Sequence, residues 1–312
     1  MASGTYCPCD RTSRSSCGRG HPLRRASRYA LTMPLLKMKA TSPTTARTNP
    51  LTGSIDTPSA SVSRNPSSGT PQLGVPPYRG RVTSVLIIKN DRDSGPGRLL
   101  EWLDARSISP VVVRAWDGEP VPGSVDGHAG LILLGGGMLP DEDERSPWLP
   151  AERALLRQAH GQVPVLGICL GAQLLAHTFG GEVQGKYGQP EKGVTSLTVL
   201  PAGADDVLLA GLPSTLRAVE SHQDQITRLP SDAVLLMSSE RCTNQMLRLG
   251  QQSWGVQFHP EVEAERVRRW SPDRLQALGF DPDTVVADAD RYAVELEKTW
   301  STVVERFLSL VA

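Results

Sequence analysis

The chain has 312 residues, 39% of them apolar, enough for one large domain or two small ones with a proper core. Thirty-three Lys and Arg balance thirty-three Asp and Glu, which removes the general electrostatic case for a nucleic-acid or anionic-membrane partner and favours a small or neutral ligand. No apolar run, "LILLGGGML" included, approaches the roughly 18–20 residues of a membrane-spanning helix, so a soluble globular protein is expected.

Residues 1–80 are dominated by Ser, Thr, Pro, Gly and Arg, with Asp10 and Asp56 as the only acids. Such a stretch buries too little apolar area to offset its ordering entropy and reads as disordered. It has the basic, acid-poor balance of an organellar transit peptide without the amphipathic helix, and it equally fits a translation start placed upstream of the true one. Cys7, Cys9, Cys17 and His21 read C-x-C-x7-C-x3-H, a spacing of no common zinc module, so no metal is expected there. Nothing among the five cysteines suggests a disulfide framework, which points to a reducing cytoplasm.

From residue 81 the pattern is ordered. "VTSVLIIKN" is a β-branched run of the kind buried on both faces of a sheet. "RLLEWLDAR" follows as a helix with Leu99, Leu100 and Leu103 on one face, then "PVVVRAW" and "AGLILLGGG" as strands. "SPWLPAERALLRQAH" reads as a helix starting near Ser146 and Pro147, with Ala151, Ala154, Leu155 and Ala159 apolar. "QVPVLGIC" is a further buried strand and "LGAQLLAHTFGG" a helix stopped by Gly180 and Gly181. This alternation predicts an α/β fold with a mostly parallel central sheet covered on both faces. Beyond Gly193, "VTSLTVL", "LRAVES", "AVLLMSS", "QMLRLG" and "WGVQFH" predict a mixed or antiparallel extension of the sheet. In the tail, Leu296, Trp300, Val303, Val304, Phe307, Leu308 and Val311 fall on one side of a packing helix.

"GICLG" has the form of the G-x-S-x-G elbow with Cys169 in place of serine. A sharp strand-to-helix turn lifts such a side chain above the sheet edge, and Gly167 and Gly171 supply the clearance. The turn also sets Cys169 at a helix N-terminus, where free N–H groups favour thiolate, and aims the Leu170 N–H at a developing oxyanion. A thiolate nucleophile needs a histidine oriented by a carboxylate. "WGVQFHPEVE" offers a strand ending in His259, with Glu261 on the same side of an extended backbone. The expected triad is Cys169, His259 and Glu261. His177 and Cys242 read as packing residues, and "PDEDERSP" as a solvated acidic loop rather than a metal site.

"GICLGAQ" with "GVQFHPE" resembles the class I, triad-type glutamine amidotransferases, and "LILLGGG" and "SHQDQITRLP" resemble two further blocks of that family in the same order. The similarity spans roughly residues 82–263 and is strongest to stand-alone relatives of the amidotransferase domain of GMP synthetase. It implies the flavodoxin-like amidotransferase fold over residues 81–263, with residues 264–312 a helical extension packed on it. It also implies hydrolysis of the glutamine side-chain amide through a γ-glutamyl thioester. Gly136 would give the second oxyanion N–H, Gln173 would contact glutamine, and Ser221, His222 and Gln223 would line the pocket for its α-amino and carboxylate groups. The resemblance implies no cofactor. Two positions depart from the family pattern: Gly137 stands where Gly-Gly-Pro is common, and Gln223 where glycine is common.

About fifty residues follow Glu263 and none resemble a synthetase. Ammonia would therefore pass to a separate synthetase subunit, or the substrate would be a γ-glutamyl amide, peptide or polyamine conjugate that needs no acceptor. A non-catalytic binding or regulatory subunit of the same fold is the alternative of a different class.

Overall fold

Val85 and Ile87 face one side of the first strand and Leu86 and Ile88 the other, all buried, so helices must cover both faces of the sheet that forms around it. The computed structural model describes residues 83–311. The expectations placed on residues 1–80, with Cys7, Cys9, Cys17 and His21, lie outside the described residues.

The first half runs β1 (Ser84–Lys89), α1 (Leu99–Ala105), β2 (Ser109–Arg114), β3 (Gly130–Leu133), α2 (Leu149–Ala159), β4 (Val165–Ile168) and α3 (Leu170–Thr178). It continues with β5 (Glu182–Gln184), β6 (Glu191–Val199), α4 (Pro201–Ala204), β7 (Thr215–His222), β8 (Gln225–Arg228), β9 (Ala233–Ser238), β10 (Met246–Leu249) and β11 (Ser253–Val256). Four helices follow: α5 (Ala264–Val267), α6 (Pro272–Ala277), α7 (Pro282–Arg291) and α8 (Ala293–Val311).

Nine strands form one sheet in the order β2-β1-β3-β4-β11-β10-β9-β6-β7. The first five are mutually parallel and stand in the 2-1-3-4-5 order of flavodoxin-like sheets, whose ligands bind beyond the carboxyl ends of the strands. The last four are antiparallel additions. A separate two-stranded sheet pairs β5 with β8. The fold is α/β, a parallel core with helices on both faces and an antiparallel extension.

One core cluster joins that sheet to α1 and α8, the other joins it to α2 and α3. The tail face predicted for α8 is the buried one, residue for residue. Two other faces are rotated from expectation. In α1 the buried residues are Leu99, Trp102 and Leu103, while Leu100 is exposed, because the indole covers more core than the leucine it replaces there. In α2, Ala151 and Ala154 are exposed and Leu149, Glu152, Leu155, Leu156 and Ala159 are buried. A carboxyl on the inner face is unreadable from apolar periodicity; Glu152 is accommodated because its Oε2 accepts from Asn90 Nδ2 at 3.3 Å.

Candidate active site

β4 ends at Ile168 and α3 begins at Leu170, leaving a single residue to make the turn. That residue, Cys169, has φ 52° and ψ −107°, a conformation that a residue with a β-carbon adopts only when its surroundings force it. The forcing contacts are on both sides. The Cys169 N–H donates to Val256 O at 2.8 Å, and its carbonyl accepts from Gln173 N at 3.0 Å. A β-carbon on Gly167 would collide with the Gly171 carbonyl, and one on Gly171 with the Leu133 carbonyl. The elbow therefore needs glycine at both positions for close backbone approach rather than for unusual dihedrals.

The histidine arrives from the neighbouring strand. β11 ends at Val256, so His259 sits three residues past the strand, not at its end as its sequence suggests. The peeling chain is pinned instead by cross-links: Gln257 N to Gln245 O and His259 N to Val219 O, each 2.8 Å. His259 Nδ1 and Glu261 Oε1 are 2.8 Å apart, both groups buried. Burial lowers the His259 pKa, but the Glu261 carboxylate and the neighbouring Cys169 outweigh it and push it up to about 10. His259 Nε2 has no hydrogen-bond partner among the described residues, which leaves it free for a proton on the reacting groups. A β-carbon built on Gly135 would lie 3.3 Å from His259 Cε1 and 3.4 Å from Cys169 Cβ, so the glycine strand packs directly against the pair.

Two residues that sequence reasoning did not single out complete this centre. Gln257 is fully buried, and its Nε2 lies 3.6 Å from Cys169 Sγ, a donor that fixes the sulfur's rotamer. Asn90, at the end of β1, donates from Nδ2 to Leu134 O at 3.2 Å and accepts from Trp148 Nε1 at 2.9 Å. It thereby ties the glycine run Gly135–Gly137 to α2. "GVQFHPE" contains Gln257, but nothing in the spacing marks which of its members touches sulfur; Asn90 meets the loop only through tertiary packing.

On the far wall, Gln173 is buried, and its Nε2 donates to Asp224 O at 3.1 Å and to Gln257 Oε1 at 3.2 Å. Ser221 accepts from Lys192 Nζ at 2.8 Å. Gln223 lines the cleft beside it. His222 belongs to the same wall, but its imidazole turns inward: Nε2 lies 3.1 Å from Glu191 Oε2 and 3.2 Å from Glu220 Oε2. Burial lowers its pKa, yet the two carboxylates dominate and raise it to about 10. It therefore sits as an imidazolium between acids and anchors the wall.

Glu191, His222 and Cys242 bring ligand atoms within 4.8 Å of one another, the one group among the described residues with metal-site spacing. Their chemistry fits hydrogen bonding instead. Glu191 already accepts from Ser239 Oγ at 2.8 Å and Gln245 Nε2 at 2.7 Å, His222 carries its proton, and burial pushes the Cys242 thiol well above its usual range.

These walls enclose an open cleft of about 1490 Å³ at the carboxyl ends of the parallel strands, with Cys169, His259, Gly136, Gln173 and Ser221 along it. Among the described residues no helix is long and apolar enough to cross a membrane.

Residues 106–269 match a family model described as glutamine amidotransferase class-I. One of the subunits of a glutamine-hydrolysing GMP synthase from Sulfolobus acidocaldarius is 45% identical over 102 residues, covering 32% of this chain and 52% of that one. Its counterpart from Methanopyrus kandleri is 35% identical over 125 residues, covering 40% and 64%. The chain thus spans about half to two thirds of the length of these curated relatives. The crystal structure of a glutamine amidotransferase from Methylobacillus flagellatus superposes with a TM-score of 0.66 at 30% identity, over 73% of this chain and 95% of that one. Elbow, glycine strand and sheet order agree with that match over half of the chain, and the protein belongs to the class I glutamine amidotransferase family.

Proposed function

We propose that the protein hydrolyses the side-chain amide of glutamine through a γ-glutamyl thioester on Cys169. The observation that carries this is the strained backbone of Cys169 held beside a buried His259–Glu261 pair. His259 takes the Cys169 proton, and the sulfur attacks the amide carbon. The oxyanion is received by the N–H of Leu170, at the unpaired first turn of α3, and by that of Gly136. Collapse expels ammonia with the proton returned by the imidazolium, leaving the thioester. Water, deprotonated by His259, then releases glutamate and restores the thiol. Gln173 Oε1 accepts no bond among the described residues and is the atom left for a substrate donor, since its Nε2 is committed.

Both archaeal relatives are named as single subunits of a GMP synthase, which supports delivery of the ammonia to a separate synthetase chain. A cleft of about 1490 Å³, far larger than glutamine needs, favours γ-glutamyl conjugates as a second substrate class. Both use the same thioester. The test is ammonia release from glutamine together with labelling by a diazoketone glutamine analogue. Cys169→Ala is expected to lose at least about 10³-fold in kcat and all labelling. Undiminished release, or an unlabelled wild-type cysteine, would point to a non-catalytic binding role instead.

A further inference from the structure

Lys192 stands on β6 in register with Ser221 on β7, and strand alternation sends its neighbour Glu191 to the opposite side, into the His222 cluster. Lys192 therefore faces the cleft without its adjacent acid. Its ammonium is partly buried, donates to Ser221 Oγ at 2.8 Å and lies 5.8 Å from the centre of the Trp270 ring. No carboxylate among the described residues comes within 4.0 Å of it, and the same holds for Arg274, which shares this end of the cleft. Two acids on the cleft walls are already engaged: Glu261 with His259, and Asp224 with the Lys186 N–H at 2.8 Å. Burial lowers the Lys192 pKa, while Cys169 acts on it in the raising direction and Arg274 in the lowering one, so the ammonium lies within electrostatic reach of the nucleophile.

A half-buried ammonium with a hydroxyl but no counter-charge is costly unless something anionic arrives to share the site. A γ-glutamyl unit brings that group: two methylenes beyond Cα lies the carbon that Cys169 attacks, and on Cα is a carboxylate. We propose that Lys192, steadied by Ser221 and walled by Trp270, receives the α-carboxylate and restricts the substrates to γ-carboxamides in which that carboxylate is free. This rests on the hydrolytic function proposed above. It adds to it a specificity-determining residue contributed by the antiparallel extension, outside both sequence motifs.

The experiment compares glutamine with glutaminamide, whose α-carboxylate is replaced by a neutral amide, following glutamate and isoglutamine as the respective products. Wild-type full chain should favour glutamine by at least about 10-fold in kcat/KM, as expected for a charge-assisted hydrogen bond. Lys192→Gln should lose most of that preference through a raised KM for glutamine, with kcat changing far less, and Lys192→Arg should recover part of it. A Lys192→Gln enzyme that keeps the full preference, or loses equally on both amides, overturns the assignment while leaving the hydrolytic function standing. Absence of both products with folded wild-type protein overturns the two together.

Discussion

Glu261 acts on the chemistry only through His259, and its effect has a sign that can be measured. The carboxylate raises the imidazole pKa against the opposing effect of burial, to about 10. A histidine raised this far donates its proton to the leaving amine across the neutral range and loses that ability only as pH climbs through its folded pKa. Replacing Glu261 by Gln keeps a hydrogen-bond acceptor but removes the charge, so the imidazolium becomes easier to deprotonate. The alkaline limb of the pH–rate profile should move to lower pH, and kcat should fall by about 10²–10⁴-fold, as for other triads robbed of their acid. A profile that keeps its alkaline limb while kcat drops would assign Glu261 to orientation alone.

At the scale of single elements, the elbow between β4 and α3 depends on two missing β-carbons. Gly171 sits in the first turn of α3 against the Leu133 carbonyl of β3, so any side chain there must push the helix off the sheet. Gly171→Ala should cost about 1–3 kcal/mol through overpacking, read by chemical denaturation, and should displace the Leu170 N–H from the oxyanion position, so activity falls more than stability does. This much was legible in "GICLGAQ", because an elbow is a local object whose requirements lie within five residues. Gln257, Asn90 and Lys192 were not legible. Each reaches the cleft from a different strand end or from the antiparallel extension, and the contacts that give them meaning cross 44 to 88 positions of chain or pass through strand pairing. His222 shows the reverse case: the motif placed it at the pocket, but the acids at positions 191 and 220 draw its imidazole inward, a choice made by partners the motif does not contain.

Across the whole molecule, the C-terminal helix and the catalytic histidine are mechanically linked. Trp300 of α8 packs on Phe258 with ring centroids 4.5 Å apart, and its Nε1 donates to Arg217 O on β7 at 2.9 Å. Phe258 is the residue before His259, and β7 is the strand whose Val219 carbonyl holds the His259 N–H. One indole thus braces both supports of the histidine from the opposite side of the core. Trp300→Ala should remove about 3–5 kcal/mol of stability, a fall of roughly 10 °C in Tm for an ordered region of this size. Loss of the brace adds a second effect: at temperatures where the variant remains folded, labelling of Cys169 by the diazoketone analogue should slow, because His259 no longer sits rigidly beside the sulfur. Trp300→Phe, which refills most of the space but lacks the Nε1 donor, should restore most of the stability and separates packing from the Arg217 bond. A Trp300→Ala protein that melts early but labels at the wild-type rate would show that the helix stabilises the sheet without positioning the histidine.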